Sequence, residues 1–112
     1  MADTQIPCCS HLPELSSEQH DRLAAIFRLL GDEGRLRLVM ACIDAPQTVT
    51  HLAALSSMSQ PLTSHHLRQL RSARILKPTR VGKQVFYELD DYHIRHVLVD
   101  LATHVLESKC EH

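Results

Sequence analysis

A chain of 112 residues with 44% hydrophobic and 22% charged side chains has the composition of one ordinary globular domain, able to bury only a modest core. Its net charge of −1 excludes bulk attraction to nucleic acid, and 4% aromatics with no Trp exclude a stacking platform for single strands. The apolar runs fall short of a membrane span and the N-terminus lacks a signal-peptide pattern, so a cytoplasmic protein with reduced thiols is expected.

Residues 1–15 have no hydrophobic period and contain two Pro, and they read as a flexible arm ahead of a single domain over 16–109. Cys8, Cys9 and His11 are concentrated in the arm, either as incidental thiols or as soft-metal ligands that fold back onto the body. Ser16 and Gln19 form a capping-box pattern that opens a helix to about Leu30, with Leu23, Ile26, Phe27 and Leu30 on its buried face. Gly31 ends that helix and Asp32 caps a second one, where Leu36, Val39, Met40 and Ile43 are the expected core positions. Cys42, near its end, reads as a small buried residue, and Ala45-Pro46 breaks the helix.

Thr48 then caps a short helix over 49–55, Ser56-Ser57-Met58 makes a turn, and Ser59 caps a helix from Gln60 to about Ser72. Two short helices joined by a tight turn are a helix-turn-helix. The outer face of the second offers Gln60, Thr63, Ser64, His65, Arg68 and Arg71, and its inner face Leu62, Leu70 and either His66 or Leu67. Short polar donors and Arg near a helix N-terminus suit base edges and phosphates in the major groove, although a solvated helix looks similar. Residues 75–80 and 84–89 follow as two strands joined by Val81-Gly82-Lys83, and this hairpin carries Lys77, Arg80 and Lys83. A basic hairpin after a helix-turn-helix is a wing placed to contact phosphate or the minor groove. The element order predicts a mainly α fold with a two-stranded β-wing, a winged helix-turn-helix that binds double-stranded DNA as a homodimer.

The last helix begins near Asp91. Ile94, Val97, Leu98, Leu101 and Val105 share one stripe at 100° per residue, and His93, Asp100, His104 and Glu107 share the stripe beside it. Such a polar stripe is either a solvated face or a set of ligands. His93 and His104 face the same way but lie ~16 Å apart along the axis, too far for one ion. Antiparallel packing of two copies brings His93 of one protomer opposite His104 and Glu107 of the other, giving two equivalent nitrogen–oxygen sites suited to a divalent metal such as zinc. Helical geometry alone does not select Asp91.

The chain resembles the ArsR/SmtB family of metal-responsive repressors over roughly residues 18–108. The resemblance is carried by Leu30-Gly31-Asp32-Glu33-Gly34-Arg35-Leu36-Arg37-Leu38, by Ser64-His65-His66-Leu67-Arg68-Gln69-Leu70 and by the wing run from Gly82 to Leu89. The last helix matches the zinc-sensing branch in its Asp-x-His, ten residues, His-x-x-Glu spacing. The resemblance therefore implies that Asp91 and His93 bind metal together with His104 and Glu107 of the partner. It implies Gln60, Ser64 and His65 as base-reading positions, and a contact from His104 to a backbone carbonyl near Arg74. It further implies that the apo dimer represses a gene and that Zn(II), or Co(II), Ni(II) or Cd(II), releases the DNA. The chain departs from many relatives at Thr48 and His51, where a Cys and an acidic residue are usual, so a thiolate site on that helix is not expected.

Three rival readings remain, one of them a constitutive nucleoid or architectural protein that ignores metal. Cys8, Cys9 and either Cys42 or Cys110 form a thiolate site for As(III), Cd(II) or Pb(II), or a redox or persulfide switch, on the same repressor fold. An enzyme is disfavoured, because no His-Glu-x-x-His, Gly-rich phosphate loop or nucleophile in a recognisable setting is present.

Overall fold

Each helix starts where the sequence supplies a capping side chain. The computed structural model describes residues 12–108, in the order α1 (Ser17–Leu30), α2 (Glu33–Ala41), β1 (Gln47–Thr48), α3 (Val49–Ser56), α4 (Gln60–Ser72), β2 (Leu76–Val81), β3 (Gln84–Leu89) and α5 (Tyr92–Ser108). Ser16 and Gln19 close the reciprocal capping box of α1, at 3.1 Å for Gln19 N–H to Ser16 Oγ and 2.9 Å for Ser16 N–H to Gln19 Oε1. Asp32, Thr48 and Ser59 cap α2, α3 and α4 by accepting from Arg35, His51 and Leu62 backbone N–H groups. The Arg35 amide holds the Asp32 carboxyl below its ordinary value of 3.8, so this cap is present above that value and is lost only as pH falls through the lowered one.

Among the described residues the two-stranded wing is joined by a third strand, β1, which the sequence did not announce. β2 and β3 form the expected hairpin, and Gln47 and Thr48 pair antiparallel with Tyr87 and Phe86, giving the order β1-β3-β2. The extra strand follows from capping: Thr48 must be extended (φ −82°, ψ 161°) to cap α3, and that puts it against the free edge of β3. The hairpin turn is tighter than the sequence implies, with Val81 paired to Gln84 and only Gly82-Lys83 between the strands. Gly82 at φ 64° supplies the left-handed residue that such a two-residue turn demands.

The core forms where α2, α3, α4 and the base of the hairpin meet. Leu38, Val39, Cys42, Leu52, Leu67, Leu70, Ile75, Leu76 and Leu98 are buried together. On α2 the inward pair is Leu38 and Val39, whereas Met40, expected inside, is exposed. On α1 no residue is fully buried, and Leu23 and Phe27 are 42% and 56% exposed despite lying on the expected inner face. α5 reaches the core only through buried Leu98 and half-buried Ile94, leaving Val97 and Leu101 about half exposed at 47% and 50%. Phe27, Leu30, Leu36, Met40, Val97 and Leu101 line an apolar groove of about 300 Å³ between α1, α2 and α5. Among the described residues, no helix is long and apolar enough to cross a membrane.

α4 ends in a Schellman arrangement. Arg74 takes φ 63° while its N–H donates to the Arg71 carbonyl (3.0 Å), and the Ile75 N–H donates to the Leu70 carbonyl (2.9 Å). Leu70 and Ile75, both fully buried, supply the apolar contact that accompanies this cap. Left-handed backbone costs an L side chain about 1 kcal/mol that Gly does not incur. Arg74→Gly is therefore expected to raise the unfolding free energy by about 1 kcal/mol, read as a higher urea midpoint at unchanged m value; a lowered midpoint would show that the Arg74 side chain contributes more than its backbone costs.

Candidate nucleic-acid interface and metal half-sites

Pro61 in the first turn and the Ser59 cap fix where α4 begins, and the buried stripe of Thr63, Leu67 and Leu70 fixes which face turns outward. Gln60, His65, Arg68 and Arg71 are exposed on that outer face, with Ser64 half-buried beside them. The His65 and His66 rings tilt against one another at 6.0 Å. Gln60 Nε2 donates to Thr50 Oγ1 on α3 at 3.2 Å.

Thr63 is not on this surface. It is fully buried, and its Oγ1 donates to the Ser59 carbonyl at 2.8 Å, so it cannot reach a base. Its spacing with Leu67 and Leu70 is the i, i+4, i+7 of one helix face, and the satisfied hydroxyl lets a Thr occupy a core position. Leu62, expected inside, is 43% exposed for the same reason of phase.

The orientation of α4 is held by side chains that sequence reasoning did not single out. Arg35 Nε donates to the Leu29 carbonyl at the end of α1 (2.9 Å), and its Nη1 donates to Gln69 Oε1 on α4 (3.2 Å). The His66 ring lies 3.4 Å from the same Gln69 oxygen. Arg35 thus ties α1 to the recognition helix; it stood in the Asp32-x-x-Arg35 run, but nothing in the sequence pairs it with Gln69.

The three basic residues of the hairpin are not equivalent. Arg80 and Lys83 are exposed near the turn. Lys77 sits at the base, opposite Glu88 in the ladder, where both line a cleft of about 300 Å³ with Cys42, Asp44 and Arg95. Arg95 donates to the Ile43 carbonyl across that cleft and so ties the start of α5 to the end of α2.

At the first turn of α5, Asp91 Oδ1 accepts from the Ile94 N–H (3.1 Å) and caps the helix. This cap turns Asp91 toward His93, whose Nδ1 lies 3.9 Å from the same oxygen, with the two side chains 51% and 83% exposed. The cap is the local reason why an acid that ideal helical phase would point elsewhere stands beside His93. The Tyr92 ring meets His93 and His96 edge-on at 5.2 and 5.1 Å. His104 and Glu107 are exposed on the last turns of α5, about three and four turns away from His93. Among the described residues no three His, Cys, Asp or Glu side chains gather closely enough to hold an ion, so one protomer brings these four together only as two pairs.

A family model described as bacterial regulatory protein, arsR family, matches residues 32–77, from the cap of α2 to the base of the wing. A transcriptional repressor SmtB homolog from Synechocystis sp. is 40% identical over 97 residues, 86% of this chain and 74% of that protein. The HTH-type transcriptional regulator NmtR of Mycobacterium tuberculosis is 30% identical over 80% of this chain and 75% of its own length. The chain belongs to the ArsR family. The same fold is found in the homodimeric winged helix-turn-helix DNA-binding domain from Mycobacterium bovis, with a TM-score of 0.78 at 17% identity over 90% of this chain and 96% of that one. It recurs in the cadmium metal-sensor CMTR of Mycobacterium tuberculosis, with a TM-score of 0.62 at 33% identity over 70% of this chain and 81% of that one. ArsR-family proteins are transcription regulators with a DNA-binding winged helix, not enzymes.

Within this ArsR-family frame Cys42 makes a poor ligand. It is 3% exposed, and burial, reinforced by the Glu88 charge, pushes its thiol up to about 12, so it stays protonated at neutral pH. Cys8, Cys9, His11 and Cys110, the other elements of a thiolate site, lie outside the described residues. Thr63→Val keeps the shape of its site and removes one buried hydrogen bond, so it is expected to cost about 1 kcal/mol in urea unfolding and to leave operator sequence preference unchanged. A changed preference at unchanged stability would place Thr63 back on the reading surface.

Proposed function

We propose that this ArsR-family chain is a metal-responsive repressor that binds its operator as an apo homodimer and releases it on binding Zn(II), with Co(II), Ni(II) and Cd(II) as substitutes. The observation that carries the reading is the layout of α5. Asp91 and His93 stand at one end of an exposed face and His104 and Glu107 at the other, and neither pair suffices alone. Antiparallel pairing of two α5 helices joins one protomer's Asp91 and His93 to the partner's His104 and Glu107. The half-exposed Phe27, Val97 and Leu101 are an apolar face that such a pairing would cover. Relatives named as a repressor, as HTH-type regulators and as a cadmium sensor support metal responsiveness, and the two-nitrogen, two-oxygen donor set favours zinc over softer ions.

On the DNA side, Gln60, Ser64 and His65 meet base edges while Arg68, Arg71, Arg80 and Lys83 meet phosphate; Lys77, at the foot of the wing, is the outermost reach of that surface. Asp91 and His93 of one protomer with His104 and Glu107 of the other would hold the ion, the two imidazoles as neutral nitrogen donors and the two carboxylates offsetting its charge, and the ion would supply a cross-link between the two α5 helices. His104 has its second ring nitrogen for a carbonyl near Arg74 at the end of α4, which would carry the effect to the recognition helix. The coupling equals the difference in metal affinity between DNA-competent and incompetent dimers, typically ~1–3 kcal/mol, and DNA must weaken metal binding by the same amount.

Titrating the reduced full-length chain with Co(II), with operator binding followed in parallel, tests this reading. Weak ligand-field bands of tetrahedral nitrogen–oxygen coordination should saturate at one ion per protomer as DNA is released. His104→Ala should keep apo operator affinity and lose the metal response. Intense near-ultraviolet sulfur charge transfer tracking DNA release would instead move the sensor to Cys8, Cys9 and Cys110. Independently, Leu101→Glu places a charge in the apolar α5 face and is expected to yield monomers by light scattering; a persistent dimer would relocate the interface.

A further inference from the structure

Gln60, the first residue of α4, is held from the side by the neighbouring helix. One N–H of its amide is taken by Thr50 Oγ1 at 3.2 Å, and both residues are exposed beside the α4 N-terminus. A primary amide has two N–H donors and one carbonyl acceptor. With one donor committed to Thr50, the edge left facing outward is one N–H beside one C=O. Adenine presents N7, an acceptor, beside the N6 amino donor in the major groove, and is the complement of that edge. Guanine presents two acceptors there, N7 and O6, and asks for two donors.

We propose that Thr50 is a specificity-determining positioning residue: by engaging one N–H of Gln60 it fixes the amide in the orientation that reads adenine and rejects guanine. The inference rests on the reading of Gln60 as a base-contacting residue. Thr50 is suited to the task because its own place is fixed. It lies in the first turn of α3, two residues after Thr48, which caps α3 and pairs with Phe86 in the sheet. Gln60 in turn follows directly on the Ser59 cap of α4. Both ends of the hydrogen bond are therefore anchored on capped helix starts, so its formation orders only the Gln60 side chain. Without that partner the Gln amide keeps both N–H groups free, so besides the adenine edge it can also turn its amino group to the two acceptors of guanine.

The experiment selects duplexes from a double-stranded pool randomised over two adjacent major-groove turns, using the full apo chain. The parent protein should select adenine at one position per half-site, by roughly five-fold or more over guanine. Gln60→Ala should flatten that position alone. Thr50→Val, at an exposed site where no core contact is lost, should lower the adenine preference at the same position several-fold and leave every other position and the phosphate-driven salt dependence unchanged. Thr50→Ser keeps the acceptor and should restore the preference. An intact adenine preference in Thr50→Val, alongside a flattened one in Gln60→Ala, overturns the inference and leaves the reading of Gln60 standing. A guanine preference that depends on Gln60 also overturns it, because the Thr50 hydroxyl would then be donating to the amide oxygen. No change at any position in Gln60→Ala sinks both.

Discussion

The burial of one face of α4 is the constraint on which the remainder of the molecule depends. Leu67 and Leu70 are wholly withdrawn from water against Leu38, Val39 and Leu52, and Thr63 joins them because its hydroxyl has the Ser59 carbonyl as a partner. Desolvating that stripe decides the rotation of the helix about its axis, and hence which side chains are offered outward. The chain leaves α4 through the Schellman turn at Arg74 and drops Ile75 and Leu76 into the same core, so the base of the hairpin is set by the packing that orients α4. Arg35 adds a polar tie from the α1 end to Gln69 on the same helix.

α1 and α5 stand in contrast to this centre. α5 is a 17-residue helix that enters the core at Leu98 and is tied at its start by Arg95 to the Ile43 carbonyl. A domain of this size buries a limited share of its surface, and α5 carries more of the exposed apolar remainder than any other element, with Tyr92, Val97, Val99, Leu101, Val105 and Leu106 all exposed. The same helix bears His93, His104 and Glu107 on the stripe beside its apolar one, and Asp91 caps its first turn. In the proposed dimer, a change in how the two α5 helices cross would be felt first at Ile94 and Leu98, the residues through which each helix holds its own protomer.

Much of the architecture was legible because it is written in short-range chemistry. Ser16, Asp32, Thr48 and Ser59 are polar side chains placed before apolar periods, and all four cap helices as their spacing demands. The hairpin was legible as two strand-like runs, 75–80 and 84–89, on either side of Gly82. What escaped was set by tertiary context. β1 is two residues long and has no period to detect; it exists because the cap of α3 runs along the open edge of β3. Thr63 was misplaced by weighing its hydroxyl above its phase with Leu67 and Leu70. Leu23 and Phe27 were read as a buried face from their period alone, but in the structure they are 42% and 56% exposed, because period shows which residues share a face and not what covers it. On α5, phase set His93, His104 and Glu107 on one stripe, whereas Asp91 entered only through the family pattern; in the structure a helix cap stands it near His93.

The small strand β1 has a consequence for the DNA. Because it stitches the start of α3 to β3, the two helices of the reading motif and the wing are closed into one block by a backbone ladder, the Gly82 turn and the Schellman corner. Such a block cannot stretch to accommodate a wrongly spaced target. In a two-fold assembly, the number of base pairs between half-sites then acts as a calliper on the distance between the two blocks, and a single inserted base pair alters both separation and helical phase. Spacer length alone could therefore select between quaternary arrangements of this protein, with no change at any base the side chains touch.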